Sequence, residues 1–437
     1  MAKIVLRAGR VLDPAAGVDR RVDLFVAGNR IAALGRAPTG FKTATEIDVT
    51  DQVICPGFVD LRARLREPGE EFKATMASEL RAAVAGGFTT VVCAPDTDPP
   101  IDTPATVSLV RERAASQGLA RVLPLGAMIR AGDGVRLSEM AALRAAGVVG
   151  MAPGRDGVDA LVMRRAMEYA ASFGMPVVVR PEEAALAAGG CMHEGELSTR
   201  LGLPGIPAEA ESIAVQREVA LARLTGARLH LGPLSARQSL APLAAARAEK
   251  LPVTADVAAH QLVMTEQAVA GFDANCHLRP PLRGAEDRDA LRLALAEGVI
   301  DAICSDHQPH EIDAKSEPFA RTEPGISSFE TVLPLVLKLV REQALDLSRA
   351  VELLTTGPAR VLGIEAGTLA SDAVADICVF DPLALWRIGE GAWFSAGLNT
   401  PFRGEELIGR VTQVLVDGRR VYRRTGRSGR HLSRAAR

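Results

Sequence analysis

The sequence predicts an α/β fold: a parallel (β/α)8 barrel of the TIM type, with a small β-sandwich built from segments at both chain ends. Three observations point there. Eight short apolar runs alternate with alanine-rich amphipathic stretches between residues 56 and 362. Strand-like segments punctuated by glycine turns flank that region on both sides. The chain has 437 residues, too many for one ordinary core but suited to a barrel plus a lesser domain.

Residues 1–55 read as short strands. Lys3-Ile4-Val5-Leu6-Arg7 and Gly9-Arg10-Val11-Leu12 come first, and Val22-Asp23-Leu24-Phe25-Val26 runs into a turn at Gly28-Asn29. Barrel strands are expected at 58–62, 89–93, 121–126, 147–151, 175–180, 227–232, 252–257 and 299–305. Helices are expected between them, at 74–86, 104–117, 159–173, 209–225, 236–249 and 285–297. Residues 363–423 return to strands around Ala375 to Asp381, Val411 to Val416 and Arg420 to Tyr422. The two ends are expected to pair as one antiparallel sandwich. The tail, 424–437, is basic and glycine-bearing, and is expected to be disordered.

Composition narrows the function classes. With 48% hydrophobic and 24% charged residues, the chain suits a packed globular protein. A net charge of -2 gives no electrostatic case for nucleic acid or membrane partners. The six cysteines form no Cys-x-x-Cys pair and mostly lie in apolar runs, so buried free thiols in a reducing cytoplasm are expected. No signal pattern and no membrane-length apolar run is present.

In barrels of this type, chemistry sits at the C-terminal ends of the strands. Strand one exits into Arg62, Arg64 and Arg66, and strand two into Asp96. Strand four exits into Arg155 and Asp156, strand five into Arg180 and Glu182, and strand six into Pro233. Strand seven leads to His260, and strand eight to Asp306, His307 and His310. A first-row metal needs several imidazoles, thiolates or carboxylates converging. A guanidinium stays protonated, offers no lone pair and repels a cation. No lysine lies within 146–157 to bridge a metal pair. The one conceivable metal set is Asp306, His307 and His310 with Asp156 or Glu182.

Several stretches carry a family likeness. They are Leu65-Arg66-Glu67-Pro68-Gly69, Ala85-Gly86-Gly87-Phe88-Thr89-Thr90-Val91-Val92, Pro95-Asp96-Thr97 and the long segment from Gly195 to Pro207. Others are Leu224 to His230, Arg279-Pro280-Pro281-Leu282-Arg283, Ser305-Asp306-His307 and Asn399-Thr400-Pro401-Phe402. Over nearly its whole length the chain resembles the class I dihydroorotases of the amidohydrolase superfamily. The resemblance implies a barrel with a composite sandwich domain. It also implies a zinc site in active members: a His-x-His pair after strand one, histidines after strands five and six, an aspartate or carboxylated lysine after strand four, and an aspartate after strand eight.

Carried over singly, the His-x-His pair falls on Arg62 and Arg64, the strand-five ligand on Arg180 and the strand-six ligand on Pro233. The strand-four position falls on Arg155 or Asp156. Asp306 alone is kept. Of the implied substrate pocket, Arg66 and His310 remain, while two asparagines become Asp96 and Arg279. Asp96 places a negative charge where an anionic substrate needs a neutral donor. Hydrolysis of a cyclic amide needs a metal to acidify water and polarise the carbonyl. The expected reading is therefore a degenerate dihydroorotase without zinc or other cofactor. The resemblance implies a non-catalytic partner of the aspartate transcarbamoylase catalytic chain in pyrimidine (UMP) synthesis, as a hetero-oligomer and conceivably also a homodimer. The alternative is an active zinc amidohydrolase with a rearranged site.

Bland readings stand beside sharp ones. Arg62 and Asp306 are expected to form an ion pair in place of the metal and keep the barrel mouth closed; at 4 Å such a pair gains about 4 kcal/mol before desolvation. The sharper reading makes Arg62, Arg64, Arg180 and Arg279 an anion site for a phosphate or nucleotide. Glu67, Glu70, Glu71 and Lys73 read as a solvated loop, His307 as a hydrogen-bonded loop residue and His230 as a satisfied core histidine.

Overall fold

A computed structural model describes residues 3–131, 134–154, 158–389 and 393–424. Eight parallel strands form the barrel: β1 Phe58–Ala63, β2 Phe88–Cys93, β3 Arg121–Pro124, β4 Met151–Ala152, β5 Val177–Val179, β6 Leu229–Leu231, β7 Val253–Ala258 and β8 Ala302–Cys304. Each pairs in parallel with the next, β3 reaching β4 through its continuation Gly126–Ala127. The ring closes where Ala63 bridges His307 and the Arg64 amide donates to the His307 carbonyl at 2.9 Å.

The helices have local causes. Thr75 caps α1 (Met76–Ala85) by accepting from the Ser78 amide. Thr103 caps α2 (Pro104–Gln117), whose proline occupies a first-turn position where no amide is needed. Helix α3 (Met140–Ala146) was not expected from the sequence. It ends at Gly147 (φ 107°), which delays β4 past the expected 147–151. Asp159 caps α4 (Ala160–Ser172). Helix α5 (Glu209–Thr225) matches its expected span.

Strands from both ends share one six-stranded sheet. Its order is Arg419–Arg423, Glu406–Val416, Ile377–Arg387, Val53–Pro56, Arg10–Asp13, Val18–Arg21. A four-stranded sheet, Arg30–Leu34, Leu24–Ala27, Lys3–Arg7 and Thr45–Asp48, packs against it. Ile4, Leu6, Val11, Leu24, Ile54, Ile377 and Leu415 fill the core between them. The expectation of a purely antiparallel sandwich is corrected here. Lys3–Arg7 pairs in parallel with Thr45–Asp48, and Arg10–Asp13 with Val53–Pro56. Such crossovers join segments about forty residues apart, a separation that local alternation does not encode.

All six cysteines are buried and free. Among the described residues no helix is long and apolar enough to cross a membrane. The basic tail beyond Arg424 lies outside the described residues.

Gly418 fastens the two ends of the chain together. It holds φ +70°, and an added Cβ would meet the Gly28 carbonyl oxygen at 2.0 Å. Gly418→Ala is expected to destabilise the fold by about 2 kcal/mol, from left-handed backbone strain and overpacking. A lowered urea midpoint checks it.

Candidate functional site

A cavity of about 300 Å³ opens at the C-terminal ends of the strands. Arg62, Arg64, Asp96, Arg180, Glu182 and Arg279 supply its charged wall, with Arg217 at its edge. Leu61, Leu125, Val158, Met163 and Val178 supply its apolar wall. Successive residues of a strand face opposite ways, so Arg62 and Arg64, two apart, share one direction. The cavity leaves the mouth open, contrary to the expectation that the Arg62 and Asp306 pair keeps it closed.

The guanidiniums are held mainly by carboxylates. Arg62 Nε lies 3.6 Å from Asp306 Oδ1, and its Nη1 donates to the Gly232 carbonyl at 3.0 Å. Arg64 Nε donates to Asp96 Oδ2 at 2.5 Å. Arg279 donates through Nε and Nη2 to Glu182, at 2.8 and 2.6 Å. Arg217 is held by Glu183 and Glu218. Arg180 has no hydrogen-bond or ion-pair partner among the described residues.

Charge states follow from these surroundings. Burial pushes the Asp96 carboxyl up, but the charges of Arg64, Arg62 and Arg66 outweigh it and hold the pKa down at about 2. Asp96 is thus an anion neutralised by Arg64, not the free negative charge the sequence suggested. Burial raises the Asp306 pKa, and the pull of Arg62, Arg64 and Arg180 only partly offsets it. Burial, then repulsion from Arg62, lowers the Arg180 pKa to about 10.

The implied substrate-pocket residues separate. Asp96 and Arg279 line the cavity, whereas Arg66 and His310 are buried behind it. Arg66 donates to the Pro309 carbonyl at 2.9 Å and to Glu70 at 2.9 Å, and its Nη2 lies 3.0 Å from His310 Nε2. Burial and the charges of Arg66, Lys73 and Lys315 push His310 down to about 2, so its imidazole is neutral. The loop after strand one is not simply solvated. Lys73 is buried and bonds Glu323 at 2.5 Å, and Glu67 accepts from the Met76 amide at 2.8 Å. Pro233 is buried beside the strand-six exit. Arg155 and Asp156 lie outside the described residues.

The rearranged metal set does not assemble. His307 Nδ1 accepts from the Ser328 amide at 3.0 Å, which leaves Nε2–H to donate to Glu79 Oε2 at 2.6 Å. His310 Nε2 is enclosed by Arg66 Nη2 at 3.0 Å and the Pro324 carbonyl at 3.1 Å, accepting from the one or donating to the other according to its tautomer. Among the described residues, no three His, Cys, Asp or Glu side chains are grouped so as to hold a metal ion. Among the described residues at the implied zinc positions, Arg62, Arg64 and Arg180 are cationic, Pro233 has no donor side chain and only Asp306 offers a lone pair, so the residues do not fit the metal.

Several contributors escaped sequence reasoning. Glu79 is buried and accepts from His307, Ser395 Oγ and the Ala396 amide. Glu211 accepts from Ser235 and Ser239 and thereby shapes the loop after strand six. His230 is satisfied in the core by Thr254 at 2.9 Å and Asp256 at 3.2 Å. Asp60 lies beneath Arg62 and accepts from the Ser305 amide and hydroxyl. Apart from the adjacent Ser78 hydroxyl, which also donates to Glu79, the partners of Glu79 and Asp60 lie more than 200 residues away, so no local pattern could have flagged them.

Comparisons with known proteins give the family and the fold. A family model described as "Dihydro-orotase-like" matches residues 51–239. The chain is 45% identical over 416 residues to a "Dihydroorotase-like protein" of Pseudomonas aeruginosa, covering 95% of this chain and 98% of that one. It is 44% identical over 422 residues to a "Dihydroorotase" of Anaeromyxobacter dehalogenans, covering 96% and 98%. Among solved structures, an L-hydantoinase (dihydropyrimidinase) from Arthrobacter aurescens superposes with a TM-score of 0.87 at 23% identity, covering 99% of this chain and 98% of that one. That likeness shows the fold.

Two outcomes are expected of the buried charges. Arg62→Leu strands Asp306 without its partner and is expected to cost about 3 kcal/mol. The double variant Arg62→Leu/Asp306→Leu is expected to cost less than Arg62→Leu alone, which urea unfolding of the cycle reads directly. Burial raises the Asp60 pKa to about 7, with Asp256 and Asp306 adding to it against the Ser305 hydrogen bonds. The folded state then binds a proton that the unfolded state has already lost, so stability falls as pH rises from about 4 to about 7. Thermal melts across that window should show a shallower fall for Asp60→Asn.

Proposed function

The chain belongs to the dihydroorotase-like family, and from that premise we propose that it is a non-catalytic member. In this reading it assembles with the aspartate transcarbamoylase catalytic chain and supports pyrimidine synthesis as a structural subunit. One observation carries the reading. At the strand-one position where the family holds zinc by His-x-His, Arg62 instead reaches Asp306 at 3.6 Å. In this reading the guanidinium stands where the metal would, as a monocation with no lone pair to give.

The chemical consequence is direct. A cyclic amide resists attack by water at neutral pH unless the water is acidified and the carbonyl polarised. The base of such a reaction must also be free to accept a proton. Asp306 Oδ1 is instead engaged by Gln308 at 3.0 Å and lies beside Arg62. What supports the assembly role is the family resemblance together with strand ends that Arg62, Arg64 and Arg279 tie to carboxylates. The likeness of this chain to a "Dihydroorotase-like protein" is in keeping with it.

Two measurements test the proposal. Purified protein incubated with dihydroorotate or carbamoyl aspartate is expected to give no turnover above buffer. Mixed with the aspartate transcarbamoylase catalytic chain of the same organism, it is expected to shift both chains to one larger species on a sizing column. Separate elution at micromolar concentration removes the assembly claim, and turnover abolished by Asp306→Ala removes the non-catalytic one.

A further inference from the structure

We propose that the arginine-walled cavity is a binding site for a small oxyanion, a phosphoryl or carboxylate group carried by a small molecule. The inference stands apart from the assembly role and does not depend on it.

The argument is one of charge pairing. Arg62 is matched by Asp306, Arg64 by Asp96 and Arg279 by Glu182. Arg217 is matched outside the cavity by Glu183 and Glu218. Arg180, at the end of β5, makes no hydrogen bond or close ion pair with the described residues; Glu182 and Asp306 attract it only at longer range, while Arg62, Arg64 and Arg279 repel it. A largely buried charge with no direct counter-ion is costly, and water in so small a volume screens it poorly. An anion removes that cost. Burial is the main cause that lowers the Arg180 pKa, and the repulsion from Arg62, Arg64 and Arg279 that adds to it marks the same crowding of positive charge.

Geometry gives the anion its donors. Arg62 and Arg64 line the cavity from the exit of β1, Arg180 from the exit of β5 and Arg279 from the segment after β7, so guanidiniums face one space from several sides. Guanidinium forks match phosphate and carboxylate oxygens in pairs, and such charge-assisted bonds are about twice as strong as neutral ones. The volume of about 300 Å³ lies at the lower end of ligand pockets, so the occupant is small. The apolar wall of Leu125, Val158 and Met163 leaves room for a short carbon skeleton beside the oxyanion.

The test uses the whole chain and thermal melting at constant ionic strength, with sodium chloride as reference. Inorganic phosphate and succinate, each at up to 20 mM, are the probes. One of them is expected to raise the melting temperature by several degrees, and which one does so distinguishes phosphoryl from carboxylate recognition. Arg180→Gln is expected to weaken the response at least tenfold in midpoint concentration and to melt higher than the parent without any anion, because the like-charge repulsion is gone. If Arg180→Gln does not fold, Arg180→Lys is expected to fold and to lose most of the response with the fork. No shift with either probe beyond chloride overturns the proposal. So does an equal shift in the parent and the Arg180 variant.

Discussion

The contact of Arg62 with Asp306 is the constraint on which the barrel mouth depends. It joins the exit of β1 to the exit of β8 across the seam that closes the ring, beside the backbone bridge between Ala63 and His307. Arg64 with Asp96 does the same between β1 and β2, and Arg279 with Glu182 ties the segment after β7 to the exit of β5. Three guanidinium and carboxylate pairs thus staple strand ends that a metal would otherwise gather. Pairs this buried are sensitive to loss of one partner, because the survivor stays desolvated.

Beneath the mouth, a second layer of polar groups holds the loops. Glu79 from α1 receives the His307 imidazole, the Ser395 hydroxyl and the Ala396 amide, and burial at such a site is tolerable only because every partner is present. Asn399 donates to the Gln308 and Gly325 carbonyls and accepts from the His310 amide. The family-like segments Ser305-Asp306-His307 and Asn399-Thr400 therefore have a backbone-fixing role in this chain. That role is independent of any metal at the barrel mouth.

Much of the architecture was legible because local periodicity encodes it. The runs that became β1, β2, β7 and α5 were apolar or amphipathic over spans close to those observed. The cationic character of the mouth was legible too, since Arg62 and Arg64 share parity on one strand. What escaped was non-local. The parallel pairings at the chain ends, the Glu79 and His307 contact across 228 residues, and the separation of Arg66 and His310 from Asp96 and Arg279 depend on how distant segments meet. Asp96 was misread for the same reason: its charge is evident in the sequence, but its neutralising partner is not.

The proposed non-catalytic role requires that the arginine-walled mouth hold no zinc. Its most direct test is zinc content after the purified protein is incubated with a fivefold excess of zinc chloride, passed through a desalting column and assayed by plasma mass spectrometry. The account predicts well under 0.1 zinc per chain, unchanged in Asp306→Ala. One or two zinc ions per chain in the parent, lost in Asp306→Ala, would contradict it.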